Sequence, residues 1–192
     1  MKTRLHDTTD KDLYRMMATG SKHERDTAFQ ELYARYSQRV FSYCSRIIGH
    51  REHAEDVFQD SFLKFLNSAT PTNDVENVPA YLLRIARNNC FNYMRARKTE
   101  HVEFEDMHLP SPENKYEITE LARLAETAME LLPEEHAEAF ALQTYGGLSY
   151  NEIAEIQKVP LTTVRNRVVR AKAKLQSILG KYLNDFTEQT HE

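Results

Sequence analysis

An all-α protein of two small helical bundles is predicted by three features of this 192-residue sequence. Apolar residues recur at three- and four-residue steps along nearly the whole chain. No segment alternates apolar and polar residues as a half-buried strand would. The periodicity lapses once, over residues 99–116, which carry Pro110, Pro112 and an excess of charge. The chain is therefore divided into an N-terminal helical domain (1–98), a flexible acidic linker (99–116) and a C-terminal helical domain (117–192) containing a helix-turn-helix, a partition that suits the length.

The elements follow in order. Leu13, Met16 and Met17 share one face of a short opening helix. A long helix over 24–48 places Phe29, Leu32, Tyr36, Val40, Tyr43 and Ile47 inward, and Gly49 ends it. Over 52–67 the inward residues are Val57, Phe58, Phe62, Phe65 and Leu66; Asp56, Gln59, Asp60 and Leu63 share the opposite face with Lys64 beside them. Residues 68–78 (SATPTNDVENV) form a polar loop. The helix over 79–98 opens with Pro79 in its first turn, where the missing N–H costs little. Helices over 117–131, 133–145, 149–157 and 162–183 complete the chain, and the tail 185–192 is predicted to fray.

Composition narrows the classes. With 41% apolar and 28% charged residues the chain is globular rather than disordered. Five Gly and six Pro exclude collagen-like and linker-like sequences. The longest apolar runs fall far short of the ~18 residues of a membrane span, and Met1–Asp10 has no apolar stretch of the secretory kind. Cys44 and Cys90 match no metal spacing, which points to a reduced, cytoplasmic protein without membrane insertion. No Gly-rich phosphate loop, nucleophile elbow or catalytic triad is present, so no catalytic residues and no cofactor are predicted. His50 and His53 straddle a helix start with no third ligand in register; they read as surface histidines, and a metal-dependent helical hydrolase is the enzyme alternative.

Net charge is −4, yet its distribution is uneven. Residues 80–99 hold five basic residues (Arg84, Arg87, Arg95, Arg97, Lys98) and no acid; residues 156–184 hold seven (Lys158, Arg165, Arg167, Arg170, Lys172, Lys174, Lys181) and no acid. Between them, residues 113–138 carry eight acids against Lys115 and Arg123. Two acid-free windows in an acidic chain indicate two surfaces that meet a polyanion.

The second window coincides with a motif. Gly146–Gly147 breaks the chain, and Ser149-Tyr150-Asn151-Glu152 is a capping box. Ile153, Ala154 and Ile156 follow, the small Ala154 allowing a second helix to cross closely. Pro160 stops the first helix, and Thr162 or Thr163 caps the next, with Val164, Val168, Ala171 and Leu175 inward. This is a helix-turn-helix whose basic second helix suits the major groove, with Thr163, Arg165, Asn166 and Arg170 toward base edges or nearby phosphates, and Lys172 and Lys174 toward phosphates. Arg pairs two-handed with guanine and Asn with adenine. The turn of such a motif often contains Gly; here that position is Lys158.

Four blocks in order resemble the bacterial extracytoplasmic-function (ECF) sigma factors: AFQELYARYSQRVFSYC (28–44), AEDVFQDSFLKFL (54–66), AYLLRIARNNCFNYMRARK (80–98) and LPEEHAEAFALQTYGGLSYNEIAEIQKVPLTTVRNRVVRAKAKL (132–175). The resemblance implies a subunit that binds core RNA polymerase and directs initiation at promoters. The helix over 54–66 would dock on the clamp helices of the largest catalytic subunit through Asp56, Gln59, Asp60, Leu63 and Lys64. The segment 80–98 would recognise and melt the −10 element, with the 68–78 loop as the pocket and Asn88 and Asn92 near the captured base. Arg84, Arg87, Arg95 and Arg97 would follow the backbone, Arg84 alternatively serving as an internal ion-pair partner; Tyr81, where many members have Trp, would stack or lie in the core. Position 92 is often Asp in the family, which leaves the base preference open. The C-terminal block would read the −35 element, and an anti-sigma factor is an implied partner. The competing class is a stand-alone helix-turn-helix regulator with a sensing bundle, although no dimerisation seam accompanies it.

Overall fold

The computed structural model describes residues 5–100, 127–129 and 131–189. The predicted linker beyond residue 100, and the predicted helix over 117–131 up to residue 126, lie outside the described residues. The described residues form helices joined by turns, with no strand among them. The chain divides into two compact units, one comprising Met1–Val102 with Thr144–Leu148 and the other Glu103–Gln143 with Ser149–Glu192.

The N-terminal unit is built from α1 (Asp10–Thr19), α2 (Lys22–Ile48), α3 (Arg51–Ser68) and α4 (Val78–Glu100), preceded by a 3-10 turn at Leu5–Asp7. Thr9 caps α1 by accepting from the Asp12 amide. A second, unpredicted capping box, Ser21 with Glu24, starts α2 two residues earlier than the apolar periodicity suggests. Gly49, at φ +72°, closes it in the left-handed conformation that glycine adopts without penalty. Each helix buries its apolar face: Leu13, Tyr14 and Met17 from α1, Leu32, Val40, Tyr43 and Cys44 from α2, Val57, Phe62 and Phe65 from α3, Leu82, Leu83, Ala86 and Cys90 from α4. At ~25 cal/mol per Å² of apolar surface removed from water, these faces hold the bundle together. Both cysteines are free and belong to this core.

Two polar features lock the bundle. Arg35 donates to the carbonyls of Leu5, His6 and Thr8 and to the carboxylates of Asp10 and Glu31, fastening the entry turn and the start of α1 to α2. Tyr36 also donates to Asp10. Between α3 and α4, the buried Asn89 donates to Ser61 Oγ at 2.9 Å and accepts from Lys64 Nζ at 2.6 Å, while Ser61 donates to the Val57 carbonyl. The apolar spacing of α4 puts Asn89 inward; these partners are why burying it is tolerated.

In the C-terminal unit, α5 (Glu134–Thr144), α6 (Tyr150–Gln157) and α7 (Leu161–Gln189) pack with helical residues 127–129. The predicted inward stripe Val164, Val168, Ala171 and Leu175 is buried together with Ile153 and Ile156; Ala171 and Leu175 meet Ala128, Met129 and Leu132. Ala154 is half-buried. The Ser149–Glu152 capping box forms as read from the sequence. Three expectations are corrected. Neither Thr162 nor Thr163 caps α7: the helix begins at Leu161, and the Pro160 carbonyl accepts from Thr163 and Val164, placing both threonines inside the first turn. Helix α4 continues through residue 100, two residues past its predicted end at 98. Helix α7 runs through Gln189 rather than fraying from 185, because no Pro or Gly follows Gly180 to stop it.

The turn between α6 and α7 closes on Lys158, at φ 55° and ψ 46°. Its N–H and that of Val159 both reach the Ala154 carbonyl, ending α6 as a glycine would. A side chain in this conformation costs about 1 kcal/mol. Lys158→Gly is therefore expected to raise the thermal midpoint and stabilise the unit by about 1 kcal/mol at most, part of the gain being offset by the freer unfolded chain. Tyr14 and Tyr36 give a pH dependence. Burial raises both phenols above their ordinary value near 10, with the Asp10 carboxylate adding to the effect at Tyr36 and a Ser68 hydrogen bond opposing it at Tyr14. A raised folded value means their contribution is whole below about pH 10 and is lost as pH climbs through the folded values. Thermal midpoints measured from pH 8 to 11 should fall at the alkaline end, and Tyr36→Phe should make that fall shallower.

Candidate nucleic-acid interfaces

The outward face of α7 is set by the buried stripe on its other side. With successive residues turning about 100°, burial of Val164, Val168, Ala171 and Leu175 leaves Arg165, Asn166, Val169, Arg170, Lys172 and Lys174 exposed. Thr163 is half-buried at the edge of this face. Arg167 is the exception among the six basic residues of this window whose side chains are described. It turns inward, donating to Glu135 Oε2 at 2.7 Å and Gln157 Oε1 at 3.0 Å, while Gln157 donates to the buried Glu138 at 2.8 Å. This network ties α5, α6 and α7 together and fixes the angle at which the outward face is held. The sequence lists Arg167 with its neighbours; its position one residue from Val168 on the inward arc distinguishes it.

A second surface runs along α4 and the loop before it. Arg84, Asn88, Asn92 and Arg95 are exposed at steps of three and four residues and form one stripe. Among the described residues Arg84 has no ion pair of the sort the sequence allows for. Its guanidinium lies over the Tyr81 ring, 5.1 Å from the centroid, and Arg87 lies over Phe91 at 4.7 Å. Stacking occupies the face of a guanidinium, whereas a phosphate takes its N–H edge. Tyr81 takes the core alternative in part. Half-buried, it meets Tyr14 edge-on at 6.2 Å and Phe65 at 6.4 Å, and its hydroxyl accepts from Asn73.

The loop is folded rather than loose. Ala69, Val75 and Val78 are buried pegs. Asn73 Nδ2 lies within donating distance of Tyr14 Oη (2.8 Å), the Ser68 carbonyl (2.9 Å) and Tyr81 Oη (3.2 Å). Asn77 Oδ1 accepts from the Ala80 amide and caps α4. Neither Asn73 nor Asn77 is picked out by apolar spacing; the N-cap of α4 was legible in Asn77 standing just before Val78–Pro79.

A third surface lies on α3. Asp56, Gln59, Asp60, Leu63 and Lys64 are exposed, Leu63 at 56% of its area, although Lys64 is committed to Asn89 at its tip. At the start of the same helix the His50 and His53 rings stack 4.6 Å apart, and His53 lies 5.2 Å from Tyr93. Among the described residues no group of three or more His, Cys, Asp or Glu is placed to hold a metal ion. Nor is any described helix long and apolar enough to cross a membrane.

Comparison with known proteins places these surfaces in a family. Residues 32–100 match sigma-70 region 2 and residues 122–175 match sigma-70 region 4. The chain is 32% identical over 183 residues to the ECF RNA polymerase sigma-E factor of Haemophilus influenzae, covering 88% of this chain and 94% of that one. To the sigma-E factor of Escherichia coli K12 it is 30% identical, over 78% of this chain and 85% of the relative. To the RNA polymerase sigma-H factor of Pseudomonas aeruginosa it is 27% identical, over 92% and 96%. Its fold is that of CnrH, solved in complex with the cytosolic domain of CnrY (TM-score 0.67, 22% identity, 90% of this chain and 97% of that one). The same fold occurs in RpoE of Bartonella quintana, solved with the anti-sigma factor NepR (TM-score 0.63, 23% identity, 79% and 96%). Region 2 falling on the α3–α4 surfaces, region 4 on the helix-turn-helix, and identity sustained along nearly the whole chain together make this protein a member of the ECF family of RNA polymerase sigma factors.

Proposed function

We propose that the N-terminal domain (1–98) docks on the clamp helices of core RNA polymerase through Asp56, Gln59, Asp60, Leu63 and Lys64, and engages the −10 element through Tyr81, Arg84, Arg87, Asn88, Asn92 and Arg95. The C-terminal domain (117–192) reads the −35 element through Thr163, Arg165, Asn166, Arg170 and Lys172, and the acidic segment 99–116 links the two. The observation that carries this reading is the outward disposition of cations and amides on α4 and α7. Melting needs unpaired bases to be captured, and a folded loop leading into a helix face of Arg and Asn offers stacking, amide hydrogen bonds and phosphate neutralisation together. On α7, Arg and Asn near the helix start suit guanine and adenine edges, and Lys172 suits a phosphate.

The protein works in the cytoplasm as a non-catalytic initiation factor. CnrH and RpoE, two proteins of like fold, were solved with the cytosolic domain of CnrY and with the anti-sigma factor NepR, and we assign this chain an anti-sigma factor as its partner.

Promoter-dependent run-off transcription with purified core polymerase tests the assignment: RNA made only when this protein is added supports it. Tight binding to duplex operator DNA with no effect on core polymerase supports instead a stand-alone regulator. Arg170→Ala should cost about 1–3 kcal/mol at a −35 base pair while leaving polymerase binding intact; loss of both together would place the residue outside the DNA contact. Asn88→Ala should reduce permanganate reactivity of the melted bases, and unchanged reactivity would remove Asn88 from the −10 surface.

A further inference from the structure

Helix α1 lies outside the residues that match region 2, which begin at residue 32, yet it makes every ion pair that the structure gives to the 69–77 loop. Lys11 pairs with Glu76 and reaches Asp74 at 3.8 Å, and Arg15 reaches Asp74 at 3.3 Å. Tyr14, one turn from Lys11 and next to Arg15, donates to the Ser68 carbonyl and accepts from Asn73. The helix is itself a fixed post, since Asp10 at its start is held by Arg35 and Tyr36 of α2. Asn73 passes the constraint on to Tyr81, and Arg84 stacks on that ring. One connected set of side chains thus runs from α1 through the loop to the exposed stripe of α4.

The loop carries two carboxylates, Asp74 and Glu76, beside a surface read as binding a polyanion. Unpaired, they would repel DNA phosphates and pull the loop toward solvent. Paired to α1, their charge is offset, and the exposed tip Thr70-Pro71-Thr72 is held in one shape, with the Asn73 amide donating to the Thr70 carbonyl. We propose that Lys11, Tyr14 and Arg15 are positioning residues for base capture: α1 clamps the 69–77 loop and masks its acids, so that one unpaired base is selected by a preformed rim. This rests on the reading of α4 and its loop as the −10 surface.

The experiment selects from a randomised pool of single-stranded DNA with holoenzyme reconstituted from core polymerase and the full chain, and reads the preference for one base over the others at each enriched position. Wild-type protein is expected to show a strong preference at one position. In Lys11→Ala/Arg15→Ala that preference should fall roughly three- to tenfold, the loss of two or three exposed ion pairs, with core binding and −35 duplex binding unchanged. Exchanging the charges (Lys11→Glu and Arg15→Glu with Asp74→Arg and Glu76→Lys) should restore the preference ratio, which a merely structural role for α1 would not do. Full preference in the double alanine variant, or no recovery on exchange, overturns the clamp while leaving the −10 reading in place. No preference in the wild type overturns both.

Discussion

The Arg167–Glu135 ion pair and the absence of any acid from residue 156 to 184 act together. A cation on a packed helix turns toward the nearest carboxylate when one is within reach and toward water when none is. Beside the inward arc of α7, Glu135 of α5 takes Arg167. Arg165, Arg170, Lys172 and Lys174 have no acid within one turn of them on their own helix, and they stay exposed. With Gln157 the ion pair links three helices, so the residue withdrawn from the exposed basic face helps hold that face in place. Charge segregation along the chain is thereby converted into a directional surface in spite of a net charge of −4.

In the N-terminal unit the same economy of acids takes a different form. Residues 80–99 hold no acid, and on α4 Arg84 and Arg87 lie over Tyr81 and Phe91. Cation–π stacking orders a guanidinium without neutralising it. The acids of the loop before α4, Asp74 and Glu76, are engaged by α1. Ring stacking therefore positions Arg84 on α4 while its guanidinium stays exposed.

Much of this was legible in the sequence because it follows from periodicity and capping chemistry. Val164, Val168, Ala171 and Leu175 recur at helical spacing and are buried; Ser149 and Glu152 stand three apart and form their box; the exposed faces of α3, α4 and α7 are what those buried stripes leave over. The parts that were not legible depend on long-range partners. Nothing near Arg167 in sequence announces Glu135, and nothing near Lys64 announces Asn89, 25 residues away. Arg84 was open to an ion pair, and its ring partner is decided only when α4 packs. Pro160 was read as a helix breaker, and a threonine was assigned the cap; in the fold Pro160 stands directly before α7, its carbonyl accepting from the Thr163 and Val164 amides. The Lys158 turn was identified by position, while its left-handed backbone is visible only in the structure.

The central claim is that outward cations on α7 meet DNA and that Arg167 does not. It is tested most directly by the salt dependence of holoenzyme binding to promoter duplex. Each phosphate contact contributes about one unit to the slope of log affinity against log salt. Alanine at Arg165, Arg170 or Lys172, where the residue meets a phosphate, should lower the slope by about one unit, and alanine at Arg167 should leave it unchanged even where affinity drops. A slope that falls with Arg167 and stays constant with the other three would contradict the account.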